Sequence, residues 1–183
     1  MNKALVVVDE LYDFIDGSMA CLNGEESVKQ TVEQIEKRKG SMPVLFVCDS
    51  HPSNHCSFAE QGGPWPPHCV EGTRGAEIHE ALKAYVEDSL VFRKGCDPAV
   101  EQYSGFDGRN EAGQSLAEVL RLLEVEVVYV VGIATEYCVR STAEDLFRAG
   151  FKVTVLKDCL AYVELEGHLK ALPEIAAEGI RVV

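Results

Sequence analysis

Residues 125–156, VEVVYVVGIATEYCVRSTAEDLFRAGFKVTVL, carry the strongest folding signal in the chain. The segment begins and ends with an apolar run rich in Val, at Val125–Ile133 and at Lys152–Leu156. Between the two runs, apolar residues recur at helical spacing from Val139 onward, and Gly150 is placed to end the helix. Continuous apolar strands joined through a helix are typical of a parallel sheet covered on both faces.

The same alternation of strand and helix extends over the whole chain. Further apolar runs lie at Ala4–Val8, Val44–Cys48, Ser89–Arg93 and Ile180–Val183. Further helical periods lie at Val28–Ile35, Ile78–Val86, Leu116–Leu123 and Leu169–Ala176, the last interrupted by Pro173. We therefore predict one α/β domain over residues 1–183, a three-layer, Rossmann-like sandwich with a mostly parallel six-stranded sheet and helices on both faces.

Charge and cysteine content exclude several classes of partner and location. The 183 residues include 17 Lys and Arg against 30 Asp and Glu, a net charge of −13, which argues against nucleic acid or an anionic membrane as partner. The seven cysteines are odd in number and form no CxxC pair, which favours a reducing compartment. The first apolar run stops at Asp9, too early for a signal peptide, and no run is long enough to span a membrane. We predict a soluble, cytoplasmic protein.

Polar residues follow several of the predicted strands at the point where each strand ends. They are Asp9, the pair Asp49 and His51, Lys94, and the segment Ala134–Cys138. Ligands of open parallel sheets bind outside the carboxyl ends of the strands, so we expect these side chains to surround one site.

Cys138 is the candidate nucleophile in this set. If Thr135 is the N-cap of the following helix, Cys138 lies in the first turn, where free N–H groups and the helix dipole favour a thiolate. A nearby Lys94 would lower the pKa of the thiol further, and Asp9 could act as general base and then general acid. The alternatives are a buried, inert Cys138 and an Asp9 that merely caps a turn.

The long loop after the second strand has the composition of a metal site. Residues 49–74 contain three of the five histidines of the chain. Asp49 and His51 are one residue apart and can point the same way on an extended segment, with His55 and His68 following. A His and carboxylate set suits zinc, iron or manganese. The alternative is a surface loop whose histidines make incidental hydrogen bonds.

Several stretches together resemble one known family. They are VVVD and DF at 6–9 and 13–14, DSHP at 49–52, PWPPHCVEGT at 64–73, FRKG at 92–95, YSGF at 103–106 and GIATEYCV at 132–139. In this order they resemble the nicotinamidase/pyrazinamidase group of the isochorismatase-like cysteine hydrolases. The resemblance covers about residues 4–160.

The resemblance implies a catalytic triad and a metal site. The triad residues are matched by Asp9, Lys94 and Cys138. The matching metal ligands are Asp49, His51 and His68, holding one divalent ion, with zinc as first choice and iron or manganese as alternatives. His55 and Glu60 are candidates for an additional or water-mediated ligand.

The resemblance also implies how a substrate ring is held. Phe14, Trp65 and Tyr103 would form aromatic walls, with Phe106 as a further contributor. An unusual, often cis, peptide bond before Ala134 would accompany an oxyanion hole formed by the N–H groups of Ala134 and Cys138.

The implied activity is metal-dependent hydrolysis of nicotinamide to nicotinate and ammonia through a Cys138 thioester, with pyrazinamide as a second substrate, in NAD salvage. The implied partner is thus a small neutral amide, and association of copies of the chain into a homo-oligomer stays open. Three rivals also stay open: an isochorismatase-like hydrolase of another amide, carbamoyl compound or vinyl ether, a hydrolase that uses metal-bound hydroxide, and a non-catalytic protein that binds a metal or a pyridine.

Overall fold

Six parallel strands form one sheet in the computed structural model, which describes residues 1–183. The strands are β1 (Asn2–Val8), β2 (Val44–Asp49), β3 (Val91–Lys94), β4 (Val125–Gly132), β5 (Lys152–Leu160) and β6 (Arg181–Val182). Their order across the sheet is β3-β2-β1-β4-β5-β6, and every neighbouring pair is parallel. The predicted α/β fold class is confirmed, and β1 lies in the middle of the sheet between β2 and β4.

Five helices connect or flank the strands. They are α1 (Tyr12–Ile15), α2 (Gly24–Lys37), α3 (Leu116–Leu122), α4 (Arg140–Arg148) and α5 (Leu165–Ala177). A capping box between Ser115 and Glu118 fixes the start of α3, since each side chain accepts the other's backbone N–H. The chain leaves α4 through Gly150 at a φ of +97°, so the predicted role of this glycine at the end of the helix is confirmed.

The hydrophobic core has two halves, one on each face of the sheet. In β1, Ala4, Val6 and Val8 pack on the face covered by α3, α4 and α5, while Leu5 and Val7 pack on the face covered by α2. Because successive side chains of a strand point to opposite faces, a strand buried on both faces must be apolar throughout. This is the physical reason why the strands read as continuous apolar runs.

Several of the predicted boundaries were wrong, most clearly at one helix and two strands. The segment predicted as a helix at Ile78–Val86 is instead a 3₁₀ helix at Glu80–Tyr85. Leu82 is its only buried side chain, so the segment lacks the buried apolar face that stabilises a longer amphipathic helix. Strand β3 begins two residues later than expected and ends on Lys94 itself, and β5 extends to Leu160. No helix of the protein combines the length and the apolar character needed to cross a membrane.

Candidate active site

The carboxyl ends of four strands bring the predicted catalytic residues together. Asp9 directly follows β1, Asp49 and Lys94 end β2 and β3, and Cys138 lies in the turn Thr135–Val139 after β4. At Asp9 the backbone turns away from the sheet with a φ of +50°, while its N–H still donates to the Val47 carbonyl at 2.9 Å. All four side chains are buried.

Lys94 lies at the centre of this group. Its Nζ is 2.5 Å from Asp49 Oδ1, 3.0 Å from Asp9 Oδ2 and 3.4 Å from Cys138 Sγ. Only 1% of the residue is exposed, so water does not screen these contacts. One buried cation therefore faces two carboxylates and a thiol.

Asp9 has one oxygen fixed and one available for proton transfer. Its Oδ1 accepts the backbone N–H of Asp49 at 2.8 Å. Its Oδ2 contacts the Lys94 ammonium but is not aligned with it as a hydrogen-bond acceptor. The carboxylate oxygens of Asp9 and Asp49 and the Cys138 sulfur lie within 4.8 Å of one another. The Asp9 carboxylate is thus in reach of the Cys138 proton.

Burial and charge set the protonation states of the group. Burial, assisted by the charge of Asp49, raises the pKa of Asp9 to about 6. Burial also favours the neutral form of Asp49, but the Lys94 ammonium and His51 hold the pKa of this carboxyl below its usual range. Lys94 keeps its proton, because the two carboxylates outweigh burial and raise its pKa. Asp9, with a pKa near neutrality, is the group best suited to exchange protons.

The expected lowering of the Cys138 pKa was wrong. Burial raises the pKa of this thiol well above its ordinary value, and the opposing attraction of Lys94 does not compensate. The helix also begins differently, since Ala134 is the N-cap of a π-helical turn, Thr135–Val139, that leads into α4. Cys138 is therefore the fourth residue of the turn and a thiol at rest, which needs a base to become a nucleophile.

The backbone before Cys138 has the features expected of an anion-binding turn. The Ile133–Ala134 peptide bond is cis, as the resemblance implied. The neighbouring Thr135 donates its N–H and its hydroxyl to the Ala161 carbonyl, at 3.0 Å and 3.2 Å. The N–H of Ala134 has no acceptor in the protein, which leaves it free for a substrate oxygen.

Asp49, His51 and His68 form a compact set of metal donors. One donor atom of each lies within 4.8 Å of the others, and all three residues are buried. The Nδ1–H of His51 donates to the Gly95 carbonyl and that of His68 to the Pro66 carbonyl, each at 2.8 Å. These bonds turn both Nε2 atoms towards the donor set, the arrangement usual behind metal-binding histidines, and His51 Nε2 lies 3.4 Å from Asp49 Oδ2. One carboxylate and two imidazoles fit a divalent ion with open coordination positions.

The other two candidate ligands lie outside this set. His55 packs against His51 with ring centroids 4.1 Å apart, but both of its nitrogens are engaged. Its Nδ1 accepts from the Ser57 hydroxyl at 2.7 Å, and its Nε2 donates to the Val100 carbonyl at 3.1 Å. Glu60 is exposed in a 3₁₀ turn. Neither residue offers a free donor atom to the metal set.

Asp9, Asp49 and Cys138 also cluster at metal-binding distances, but a cation is already present there. The Lys94 ammonium contacts all three side chains. A second ion would have to displace a buried charge, so this cluster is better described as the counter-charge of Lys94.

The candidate nucleophile and two of the metal donors, Asp49 and His68, line one cavity. Its empty space, including the open mouth, is about 410 Å³. The predicted Phe14, Trp65 and Tyr103 all line it, beside Asp49, His68, Ala134 and Cys138. Phe106 does not, and packs against the core of the sheet instead. Sequence reasoning missed five lining residues: Met19, Cys21, Glu101, Tyr137 and Val163.

Asp13 is a further residue whose role the sequence did not disclose. Its Oδ2 accepts the backbone N–H of Cys69 at 2.7 Å, and Cys69 has a φ of +47°. The carboxylate therefore fixes the backbone directly after His68. Gly17 and Gly75 pack against it so closely that a Cβ at either position would lie about 2.0–2.3 Å from an Asp13 oxygen. The only sequence signal was its place in the motif that follows the first strand.

Residues 3–183 match the Isochorismatase domain family. The chain belongs to the isochorismatase family. Among curated members, it is 37% identical to the nicotinamidase/pyrazinamidase of Mycobacterium tuberculosis, over 99% of this chain and 98% of that protein. It is 33% identical to the nicotinamidase of Escherichia coli, over 97% of this chain and 92% of that protein.

Solved structures of the family have the same fold over their whole length. The pyrazinamidase of Pyrococcus horikoshii, in complex with zinc, superposes with a TM-score of 0.90 at 39% identity, covering 100% of this chain and 99% of that one. The PnC1 protein of L. infantum, in complex with nicotinate, superposes with a TM-score of 0.87 at 31% identity, covering 100% and 92%. The family resemblance drawn from the sequence motifs is therefore confirmed.

Proposed function

We propose that this protein is a nicotinamidase, which hydrolyses nicotinamide to nicotinate and ammonia through a thioester on Cys138, accepts pyrazinamide as well, and serves NAD salvage. One domain over residues 1–183 would carry the activity. The observation that carries the proposal is the shared cavity, in which His68 and Asp49 face the same aromatic-walled space as Cys138. A pyridine ring held between such walls can direct its nitrogen to the metal donors and its carboxamide to the thiol.

The first half of the reaction forms the thioester. The Cys138 proton passes to Asp9, and the sulfur attacks the carboxamide carbon, whose oxygen becomes negatively charged. The N–H groups of Ala134 and Cys138 stabilise this oxyanion, each donor typically contributing ~3 kcal/mol to the barrier. As the C–N bond breaks, Asp9 returns its proton to the leaving nitrogen, and ammonia departs.

The second half regenerates the enzyme. Asp9, again a carboxylate, takes a proton from a water molecule that attacks the thioester carbon. As the C–S bond breaks, this proton passes from Asp9 to the Cys138 sulfur, and the product leaves as nicotinate after losing its carboxyl proton to solvent. Lys94 allows the thiolate and the Asp49 carboxylate to be charged together, because two neighbouring buried anions without a cation would each shift the other's pKa. The high pKa of the free thiol and the near-neutral pKa of Asp9 suit this division of roles.

The proposed cofactor is one divalent ion, zinc in preference to iron or manganese, on Asp49, His51 and His68. The zinc complex of the P. horikoshii pyrazinamidase supports this choice. An ion bound here would supply a Lewis-acid centre for the ring nitrogen and so orient the carboxamide towards Cys138. Because the chemistry requires Cys138 as a free thiol, the function suits the reducing cytoplasm.

The test is release of ammonia from nicotinamide by the purified protein, before and after chelation, together with elemental analysis. We expect release from nicotinamide and pyrazinamide, one equivalent of a divalent metal, and loss of activity on chelation that the metal restores. Turnover of a carbamoyl compound or a vinyl ether in preference to nicotinamide would contradict the proposed substrate. Tight binding of nicotinamide without any ammonia would contradict the proposed chemistry.

A further inference from the structure

Glu101 is the one charged side chain of the cavity lining that belongs neither to the candidate triad nor to the metal donors. No Lys or Arg lines the cavity to balance it. Lys94 does not line the cavity: the residue is 1% exposed, and its ammonium contacts the carboxylates of Asp9 and Asp49. A ligand that enters the cavity therefore meets the Glu101 carboxylate, and the only cation of the site that could face it is a metal ion held by the donor set.

The backbone holds Glu101 in this position from both sides. The carbonyl of Val100 accepts the Nε2–H of His55 at 3.1 Å, and the side chain of Gln102 accepts the N–H of Gly95 at 3.0 Å. Tyr103 then packs in the aromatic wall, its hydroxyl accepting the indole N–H of Trp65 at 3.2 Å. Glu101 is thus fixed between two anchored neighbours and beside the ring-binding wall.

The Glu101 carboxylate itself is unpaired. The residue is exposed, and its side chain makes no hydrogen bond and no ion pair within 4.0 Å. It adds to the effect of burial in raising the pKa of the neighbouring Tyr103 hydroxyl, so its charge reaches the aromatic wall. An unpaired carboxylate at the edge of an apolar cavity acts on a ligand through charge rather than through a hydrogen bond.

We propose that Glu101 is a specificity-determining residue that selects uncharged aromatic amides and disfavours anionic pyridines at the cavity mouth. The disfavoured class includes the carboxylate product and phosphorylated derivatives of the ring. This inference rests on the proposed function and deepens it, because the reaction converts a neutral substrate into an anion inside the cavity. Repulsion by Glu101 then weakens retention of the product without weakening capture of the substrate.

The test compares an anionic and a neutral pyridine of similar size. Binding of nicotinate and of 3-acetylpyridine to the metal-loaded protein is measured by calorimetry for the wild type and for Glu101→Gln. We expect the variant to bind nicotinate about threefold to tenfold more tightly, and the neutral ligand within about twofold of the wild type. Raising the salt concentration from about 0.01 M to about 1 M should shrink the nicotinate difference.

Two further variants separate charge from structure. Glu101→Asp keeps the charge and should bind nicotinate like the wild type. Glu126→Gln removes an exposed carboxylate near the opposite end of β4 and should also leave nicotinate binding unchanged. Equal changes for both ligands in Glu101→Gln, or an unchanged affinity for nicotinate, would overturn the inference while leaving the proposed function intact. Failure of the wild type to release ammonia from nicotinamide would instead overturn the proposed function, and this inference with it.

Discussion

Lys94 and Asp49 form a buried ion pair in which Nζ and Oδ1 are 2.5 Å apart. The pair joins the two halves of the site, since Asp49 belongs to the metal donors and Lys94 contacts the candidate nucleophile Cys138. A change at Lys94 should therefore affect both the chemistry and the stability of the fold.

Replacing Lys94 by Met should remove that link. Two buried carboxylates would be left without a counter-charge, so we expect a loss of about 3–5 kcal/mol in the free energy of unfolding and of at least about 100-fold in turnover. The measurements are denaturant unfolding and ammonia release. Lys170→Met, at an exposed position on α5, is the matched control and should change neither quantity. A Lys94→Met protein as active as this control would contradict the assigned role.

Gly95→Ala should weaken metal binding through His51. Gly95 has a φ of +67°, and a Cβ there would lie 2.4 Å from His51 Cε1, so the imidazole must move. We expect metal affinity to fall about 10-fold to 100-fold, as for other losses of support behind a ligand. Gly113→Ala is the control, because Gly113 has a φ of +77° but no atom within 4 Å of an added Cβ. Equal metal affinity in the two variants, measured by competition with a chelator, would disprove the contact effect.

The variants His68→Ala and His55→Ala should show which of the two histidines binds the metal and which only packs beside a metal ligand. His68 offers a free Nε2 to the donor set, whereas both nitrogens of His55 are engaged by Ser57 and Val100. We expect His68→Ala to be purified without its equivalent of metal and His55→Ala to retain it. Elemental analysis of the two proteins decides between them, and loss of metal from both would make His55 a ligand after all.

Glu10 should make the stability of the fold depend on pH. This buried carboxyl accepts hydrogen bonds from Ser27 and Thr31 through one oxygen, while the other has no partner. Burial raises its pKa to about 7 from an ordinary value of 4.5. The folded state therefore binds the proton more tightly than the unfolded state. The contribution of this binding to the free energy of unfolding is greatest below pH 4.5 and is lost as the pH rises towards 7.

The measurement is the free energy of unfolding at about pH 5.5 and about pH 8. We expect the wild type to lose about 2 kcal/mol more over this interval than Glu10→Gln, which cannot ionise. The comparison with the variant is needed because Asp9, whose pKa is also raised, contributes in the same direction. Parallel pH curves for the two proteins would show that Glu10 does not titrate in this range.

The sequence predicted the groups that touch a reacting atom or a metal better than it predicted their surroundings. Asp9, Asp49, Lys94 and Cys138 follow strands, and the carboxyl ends of parallel strands must meet at one edge, so topology alone brings them together. The state of the Cys138 thiol could not be predicted in this way. It depends on how completely the turn is buried and on a helix start at Ala134, which only the packed structure reveals.

Glu101 and Asp13 illustrate the same limit. Each is an ordinary acidic residue in sequence, and its place beside the cavity or behind the metal donors results from contacts with distant segments. His55 shows the converse, because a histidine in a metal-binding loop is equally expected to be a ligand until its hydrogen bonds are seen.

The most direct test of the account is the rate of ammonia release from nicotinamide by Cys138→Ala and by Cys21→Ala. Both thiols line the cavity, but only Cys138 contacts Lys94. We expect Cys138→Ala to lose at least about 1,000-fold in turnover while retaining its metal, and Cys21→Ala to stay within about tenfold of the wild type. Turnover by Cys138→Ala at a rate near that of the wild type would contradict the thioester mechanism.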